Sequence, residues 1–178
     1  MKVKEVFLGD VFLLEVDKIT NDKEIIRSYS PIDFELIGLN VAFVQDNISL
    51  SKLNTLRGLH YQVNKPQGKF LQIISGSILD VVVDVRRSSD NFGKHVSIHL
   101  NSNDNNSLWI PPGYAHGFLA LENDTKVMYQ LTQYRYPEFE RVILWSDHDL
   151  SIGWPLDVDF LISEKDKKGE KFINCEYL

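Results

Sequence analysis

The chain carries a single cysteine, Cys175, among 178 residues. That excludes an internal disulfide and argues against a thiolate-rich zinc cluster. Long apolar runs are missing as well: no uncharged stretch reaches the ~20 residues that a bilayer-spanning helix needs. The amino terminus, Met1 to Asp10, lacks the hydrophobic segment of a secretory signal. Positive charge is scarce. Nineteen Lys and Arg stand against 25 Asp and Glu, a formal net charge of -6. A general nucleic-acid binder would normally carry a basic stripe, so that class is disfavoured. A few well-placed cations can still define a pocket for a small anion. These absences predict a soluble, cytoplasmic protein with no nucleic-acid and no membrane partner. What is present, 43% hydrophobic and 25% charged residues, suits one globular domain spanning 1–178.

Period-two patterns dominate the middle of the chain. From Ile78 to Arg86, Leu79, Val81, Val83 and Val85 alternate with Asp80, Val82, Asp84 and Arg86, which predicts a strand with one buried face. From His95 to Leu100, Val96, Ile98 and Leu100 alternate with His95, Ser97 and His99. Further strands are expected at Val41–Gln45, Lys69–Ile74, Leu108–Ile110, Phe118–Leu121, Val127–Leu131 and Val142–Trp145. Turn chemistry at 75–76, 90–93 and 101–107 separates them. Helical signals are confined to the ends: Ser30, Pro31 and the stop at Gly38 predict a short helix over 31–37, and Ser163 opens another over 163–169. Many short strands imply an all-β antiparallel sandwich or barrel.

Two histidines interrupt this apolar pattern. His60 stands in Leu-Arg-Gly-Leu-His-Tyr-Gln at 56–62, and His116 follows Pro111, Pro112 and Gly113. Histidine changes charge near neutral pH and is the usual general base. The two segments resemble the paired motifs of cupin barrels. Metal-binding cupins place a second histidine where Gln62 stands here, and no glutamate follows at the expected spacing. The donor set is therefore short of what a metal site needs, and a metal-free pocket is expected.

The resemblance sharpens along the chain. Gln45-Asp-Asn47, Leu56–Gln62, Pro66–Lys69, Asp80–Arg86, Trp109–Leu119, Trp145–Pro155 and Ser163–Asp166 occur in an order similar to that of the dTDP-4-dehydrorhamnose 3,5-epimerase family. This resemblance implies a cupin-type antiparallel β-barrel or jelly roll. It also implies cofactor-independent epimerisation of a nucleotide-linked 4-keto-6-deoxyhexose, and a homodimer in which N-terminal strands extend the partner's sheet. By motif, His60 is the expected proton acceptor, Asp166 its orienting partner and Tyr129 the proton donor. Lys69 is expected to face the developing oxyanion and Arg57 the diphosphate. Gln45, Asn47, His116, Glu140 and Lys165 complete the expected substrate contacts.

Each position has a plainer reading. Taken alone, His60 reads as a core histidine and Tyr129 as a core aromatic. Asp166, three residues after Ser163, reads as part of a capping box. Lys69 and Arg57 read as solvated strand cations. His95, His99 and Cys175 carry no assigned function. Two departures from the family stand out: Thr20–Arg27 lacks the usual Arg-Gly pair and following glutamate, and Gln130 replaces a common lysine. A single-position epimerase, a ketoisomerase, a silent sugar-nucleotide binder and a metal-dependent oxygenase remain as alternatives.

Overall fold

Alternating side chains place one face of each strand against a partner layer, and two such layers enclose a core. The computed structural model describes residues 1–16, 29–155 and 157–178. The altered segment Thr20–Arg27 lies outside the described residues. The first sheet has the spatial order β1 (Lys2–Phe7), β2 (Val11–Glu15), β8 (Asn106–Ile110), β5 (Lys69–Ser75), β10 (Thr125–Leu131) and β3 (Gln45–Ser51). The second runs β11 (Glu140–Val142), β4 (Thr55–Gln62), β9 (Tyr114–Ala120), β6 (Ser77–Asp84) and β7 (His95–Asn101). Pairing along both paths is antiparallel, and among the described residues only the two-residue β12 (Leu161–Ile162) lies parallel to β4. This is the expected all-β jelly roll. Leu71, Ile73, Leu108 and Val127 of the first sheet meet Ile78, Val82, Ile98 and Phe118 of the second in a shared interior cluster.

Both sheets also have an apolar outer face. On the first, Phe70, Trp109 and Leu14 pack under Phe34 of helix α1 (Pro31–Leu36). On the second, Leu59, Val81, Val83 and Val85 pack under Leu150, Trp154, Phe172 and Tyr177 from the C-terminal third. This cover corrects the reading of Ile78–Arg86 as a strand with one buried face. Both faces of β6 are buried, and its acids Asp80 and Asp84 are each 0% exposed. They persist there because each is paired, Asp84 with Arg86 at 2.6 Å and Asp80 with His116 at 2.7 Å.

Other boundaries shift for similar reasons. The strand expected at Val41–Gln45 begins only at Gln45, because Val41 and Phe43 are drawn into the aromatic cluster around Phe34. The strand expected at Val142–Trp145 ends at Val142. Ile143 instead bridges to Glu170, and Leu144 N–H donates to the Glu170 carbonyl at 2.8 Å. The second helix is a single turn, α2 (Glu164–Lys167), rather than 163–169. Its Lys168 and Gly169 lead straight into that bridge. A side chain at Gly169 would sit 2.7 Å from the Leu144 nitrogen, so glycine permits this close approach. Among the described residues no helix is long and apolar enough to cross a membrane.

Candidate active site

The site begins with two glycines. Between Arg57 and His60 the β4–β9 register shifts, and there Gly58 lies against Gly117. A Cβ on Gly58, whose φ is +121°, would fall 2.5 Å from Gly117 Cα, and one on Gly117 would fall 2.5 Å from the Arg57 carbonyl oxygen. Overpacking of this kind costs about 1–3 kcal/mol. The glycine contact lets the strands close, and beyond it His60 and His116 stand as direct cross-strand partners.

Each histidine is held by a carboxylate. His60 Nε2 lies 2.7 Å from Asp166 Oδ1, and the other oxygen of Asp166 accepts the Gly58 N–H at 3.3 Å. A carboxylate acceptor puts the imidazole proton on Nε2 and leaves Nδ1 as the basic nitrogen. His60 keeps 31% of its side chain exposed, whereas Asp166 is 3% exposed. Burial pushes the Asp166 carboxyl upward, but hydrogen bonds from His60, Gly58 and Ser163 outweigh it and hold the group below its ordinary range. Ser163 Oγ accepts the Asp166 N–H at 3.1 Å. Ser163 therefore caps α2 while the Asp166 carboxylate is directed at His60, so the capping reading and the partner reading both hold.

His116 Nε2 meets Asp80 Oδ2 at 2.7 Å. Burial lowers the pKa of His116 from its ordinary value, with Lys69 and His60 adding to the effect and Asp80 opposing it. Lys69, only 7% exposed, donates Nζ–H to the His60 carbonyl at 3.1 Å. Burial brings its pKa down to about 8, against the pull of Asp80 and Glu140. Tyr129 sits on β10 opposite Asn47 of β3 and Leu71 of β5. Burial raises the pKa of its phenol, while Arg57 and Arg135 draw it down.

A cavity of about 850 Å³ opens beside β4 and α2, and eight of the ten residues singled out from sequence line it: Gln45, Asn47, Arg57, His60, Tyr129, Glu140, Lys165 and Asp166. The other two, Lys69 and His116, line an adjoining recess of about 150 Å³ together with Arg57, His60 and Tyr129. Gln45 and Asp166, 121 positions apart in sequence, thus share one space. Gln45 donates to Asn47 at 3.0 Å. Arg57 is tethered at the rim by Ser51 Oγ and the Leu50 carbonyl, both at 3.1 Å. Glu140 joins Lys165 (2.8 Å) to Arg135 (2.7 Å).

Two groups at this site escaped the sequence reading. Alternation assigns Asp80 to a solvent face, although an acid inside the apolar run Ile78–Val85 signals a buried partner. Arg135, in the loop after β10, had no periodic pattern to mark it. Gln62, the stand-in for a metal-cupin histidine, spends its amide on backbone: it donates to Lys65 O (2.9 Å) and Tyr134 O (3.3 Å) and accepts from Tyr136 N (2.7 Å). Among the described residues, no group of three or more His, Cys, Asp or Glu side chains is placed to hold a metal ion.

Comparison with known proteins places the whole chain. The family model for dTDP-4-dehydrorhamnose 3,5-epimerase matches residues 5–174. The chain is 40% identical to the dTDP-4-dehydrorhamnose 3,5-epimerase of Pseudomonas aeruginosa, covering 99% of this chain and 98% of that protein. It is similar to the crystal structure of the Bacillus anthracis enzyme with TDP and PPi bound, at 36% identity and a TM-score of 0.91, covering 96% of this chain and 98% of that one. It is also similar to the Legionella pneumophila epimerase in complex with dTDP-4-keto-L-rhamnose, at 33% identity and a TM-score of 0.92, with 98% and 94% covered. Sequence and fold converge, and the chain belongs to the dTDP-4-dehydrorhamnose 3,5-epimerase family of isomerases.

Proposed function

We propose that this chain epimerises a dTDP-linked 4-keto-6-deoxyhexose at its third and fifth carbons, without a cofactor, using His60 and Tyr129 as base and acid. The ketone acidifies the hydrogens on both neighbouring carbons. His60 Nδ1 takes a proton from one of them, and the carbon–hydrogen electron pair moves into an enolate. The resulting imidazolium is stabilised by Asp166, as a carboxylate stabilises the histidine of a hydrolase triad. Lys69 supplies positive charge to the enolate oxygen, assisted by the neutral His116 that Asp80 orients. Tyr129 then donates its proton to the carbon from the opposite ring face, the configuration inverts and the ketone re-forms. Arg57 holds diphosphate, and Gln45, Asn47, Glu140 and Lys165 contact the remaining substrate. The observation that carries this reading is the presence of a carboxylate-paired histidine, a tyrosine and a buried lysine around one cavity.

Incubation with dTDP-4-keto-6-deoxyglucose in heavy water, followed by proton NMR, tests it. Deuterium at both carbons supports 3,5-epimerisation. Deuterium at one carbon identifies a single-position epimerase, and no exchange at either refutes the proposal. The proposed roles also set a pH dependence. Lys69 is cationic below its pKa of about 8. Raising the pH through that value removes the charge from the enolate oxygen, so kcat/KM should fall above about pH 8. A Lys69→Met variant should be slow throughout and lose this limb. A wild-type profile flat from pH 7 to 10 contradicts the assignment.

The reading includes a cytoplasmic homodimer whose partners are its sugar-nucleotide substrate and a second copy of the chain, with no nucleic acid or membrane. Edge strand β3 supports the pairing: Ile48 and Leu50 point outward, 67% and 59% exposed, on a ladder with one free side. Edge strand β1 exposes Val3 and Val6 in the same way. Sedimentation should find a dimer at micromolar concentration, and a monomer alone would contradict it.

A further inference from the structure

A proton donor that works on the face opposite the base becomes an anion when it works. As the Tyr129 O–H bond breaks, the enolate electron pair forms the new carbon–hydrogen bond and the phenol is left as a phenolate until solvent returns a proton. A half-buried phenolate needs a cation nearby. In the proposed reaction Lys69 serves the enolate oxygen from its recess, and His60 is the imidazolium on the other face. Two guanidiniums remain around the phenol, Arg57 from β4 and Arg135 from the loop after β10.

Arg135 is built into place. Buried Gln62 grips the backbone on either side of it, donating to Tyr134 O at 3.3 Å and accepting from Tyr136 N at 2.7 Å. Its own Nε and Nη2 donate to Glu140 Oε2 at 3.1 and 2.7 Å. Lys165 neutralises the other oxygen of Glu140, so this carboxylate does not cancel the guanidinium alone. Arg135 lines the main cavity with Tyr129, and the two residues meet again in a third recess of about 130 Å³, together with Asn47, Lys69 and Glu140. The charged and titratable groups that line these cavities with Tyr129 are Arg57 and His60 of β4, Lys69 of β5, His116 of β9, Glu140 of β11, Lys165, Asp166 and Lys167 of α2, and Arg135.

We propose that Arg135 is a positioning residue for the reprotonation half of the reaction: fixed by Gln62 and Glu140 at the cavity mouth, it stabilises the Tyr129 phenolate. The proposal rests on the reading of Tyr129 as the acid. The downward pull of Arg135 on the phenol pKa agrees with it, second only to that of Arg57 among the cations. Its 57% side-chain exposure makes it a weaker helper than a fully buried donor, because solvent screens the charge. The consequence is selective. Arg135 should matter after the first proton has left and not before.

The test measures two rates in heavy water with dTDP-4-keto-6-deoxyglucose: deuterium entry with retained configuration, and formation of the inverted product. Arg135→Gln should leave deuterium entry within about twofold and slow inversion roughly 10-fold, below the about 10²–10³ lost with a buried oxyanion donor. Arg135→Lys keeps the charge and should recover part of the loss. Arg135 is exposed, so both variants should melt with the wild type. If Arg135→Gln raises only KM, the guanidinium is a substrate anchor and the proposal fails. It also fails if deuterium entry and inversion fall together, or if neither changes. Tyr129→Phe run in parallel separates the two layers. If that variant inverts normally, the acid assignment falls and takes this proposal with it. If it uncouples exchange from inversion while Arg135→Gln does not, only the role of Arg135 is lost.

Discussion

His60→Ala should stop deuterium from entering either carbon, with a loss of about 10²–10⁴-fold, the usual contribution of a positioned general base. The size follows from the lack of a substitute among the described cavity residues. Asp166 is held ionised below its ordinary range and is spent on His60 and Gly58. His116 has its Nε2 engaged by Asp80 and lines the inner recess rather than the main cavity. Lys69, cationic below pH about 8, is an acid at neutral pH and not a base. Truncation should leave the fold intact, because the His60 ring is partly exposed and the glycine contact that closes β4 on β9 remains. Proton NMR in heavy water measures the exchange, and a melting curve checks the fold. Exchange within tenfold of wild type, in a folded variant, would remove His60 from the mechanism.

Tyr129→Phe should divide the reaction in two. The ring packs against the interior cluster, and phenylalanine preserves that contact while deleting the hydroxyl. His60 can still take a proton, exchange it with solvent and return deuterium to the same face. Delivery from the opposite face is what disappears. The expected signature is continued exchange with retained configuration and a fall of about 10²-fold or more in inverted product. Full-rate inversion by this variant would show that another group is the acid. Loss of both exchange and inversion would show that Tyr129 acts before or during proton abstraction.

These outcomes depend on features that were unequally visible in the chain. Strands β7 and β10 could be read closely from alternation, because each has one face in the sandwich interior and the period of two survives. β6 misled, since its second face is covered by Leu150, Trp154 and Phe172, residues far along the chain. Val41–Gln45 misled for a related reason: Val41 and Phe43 are apolar because of helix α1 and not because of a strand ladder. The ten site residues were readable only through the order of short motifs, and taken singly several favoured a plainer role.

By itself the sequence determined the all-β class and the family, and it nominated the side chains proposed to react, because hydrophobic periodicity and motif order are local properties of the chain. The family resemblance already named Asp166 as the partner of His60, whereas the pairing of Asp80 with His116 was decided by the tertiary structure alone. The fold joins these two pairs across separations of 106 and 36 residues. It also brought Arg135 into the recess that Tyr129 lines, through the grip of Gln62. Partnerships of this kind depend on sheet register and on the glycine contact between β4 and β9, which bring distant side chains within hydrogen-bonding distance. No pattern of neighbours along the chain encodes that proximity.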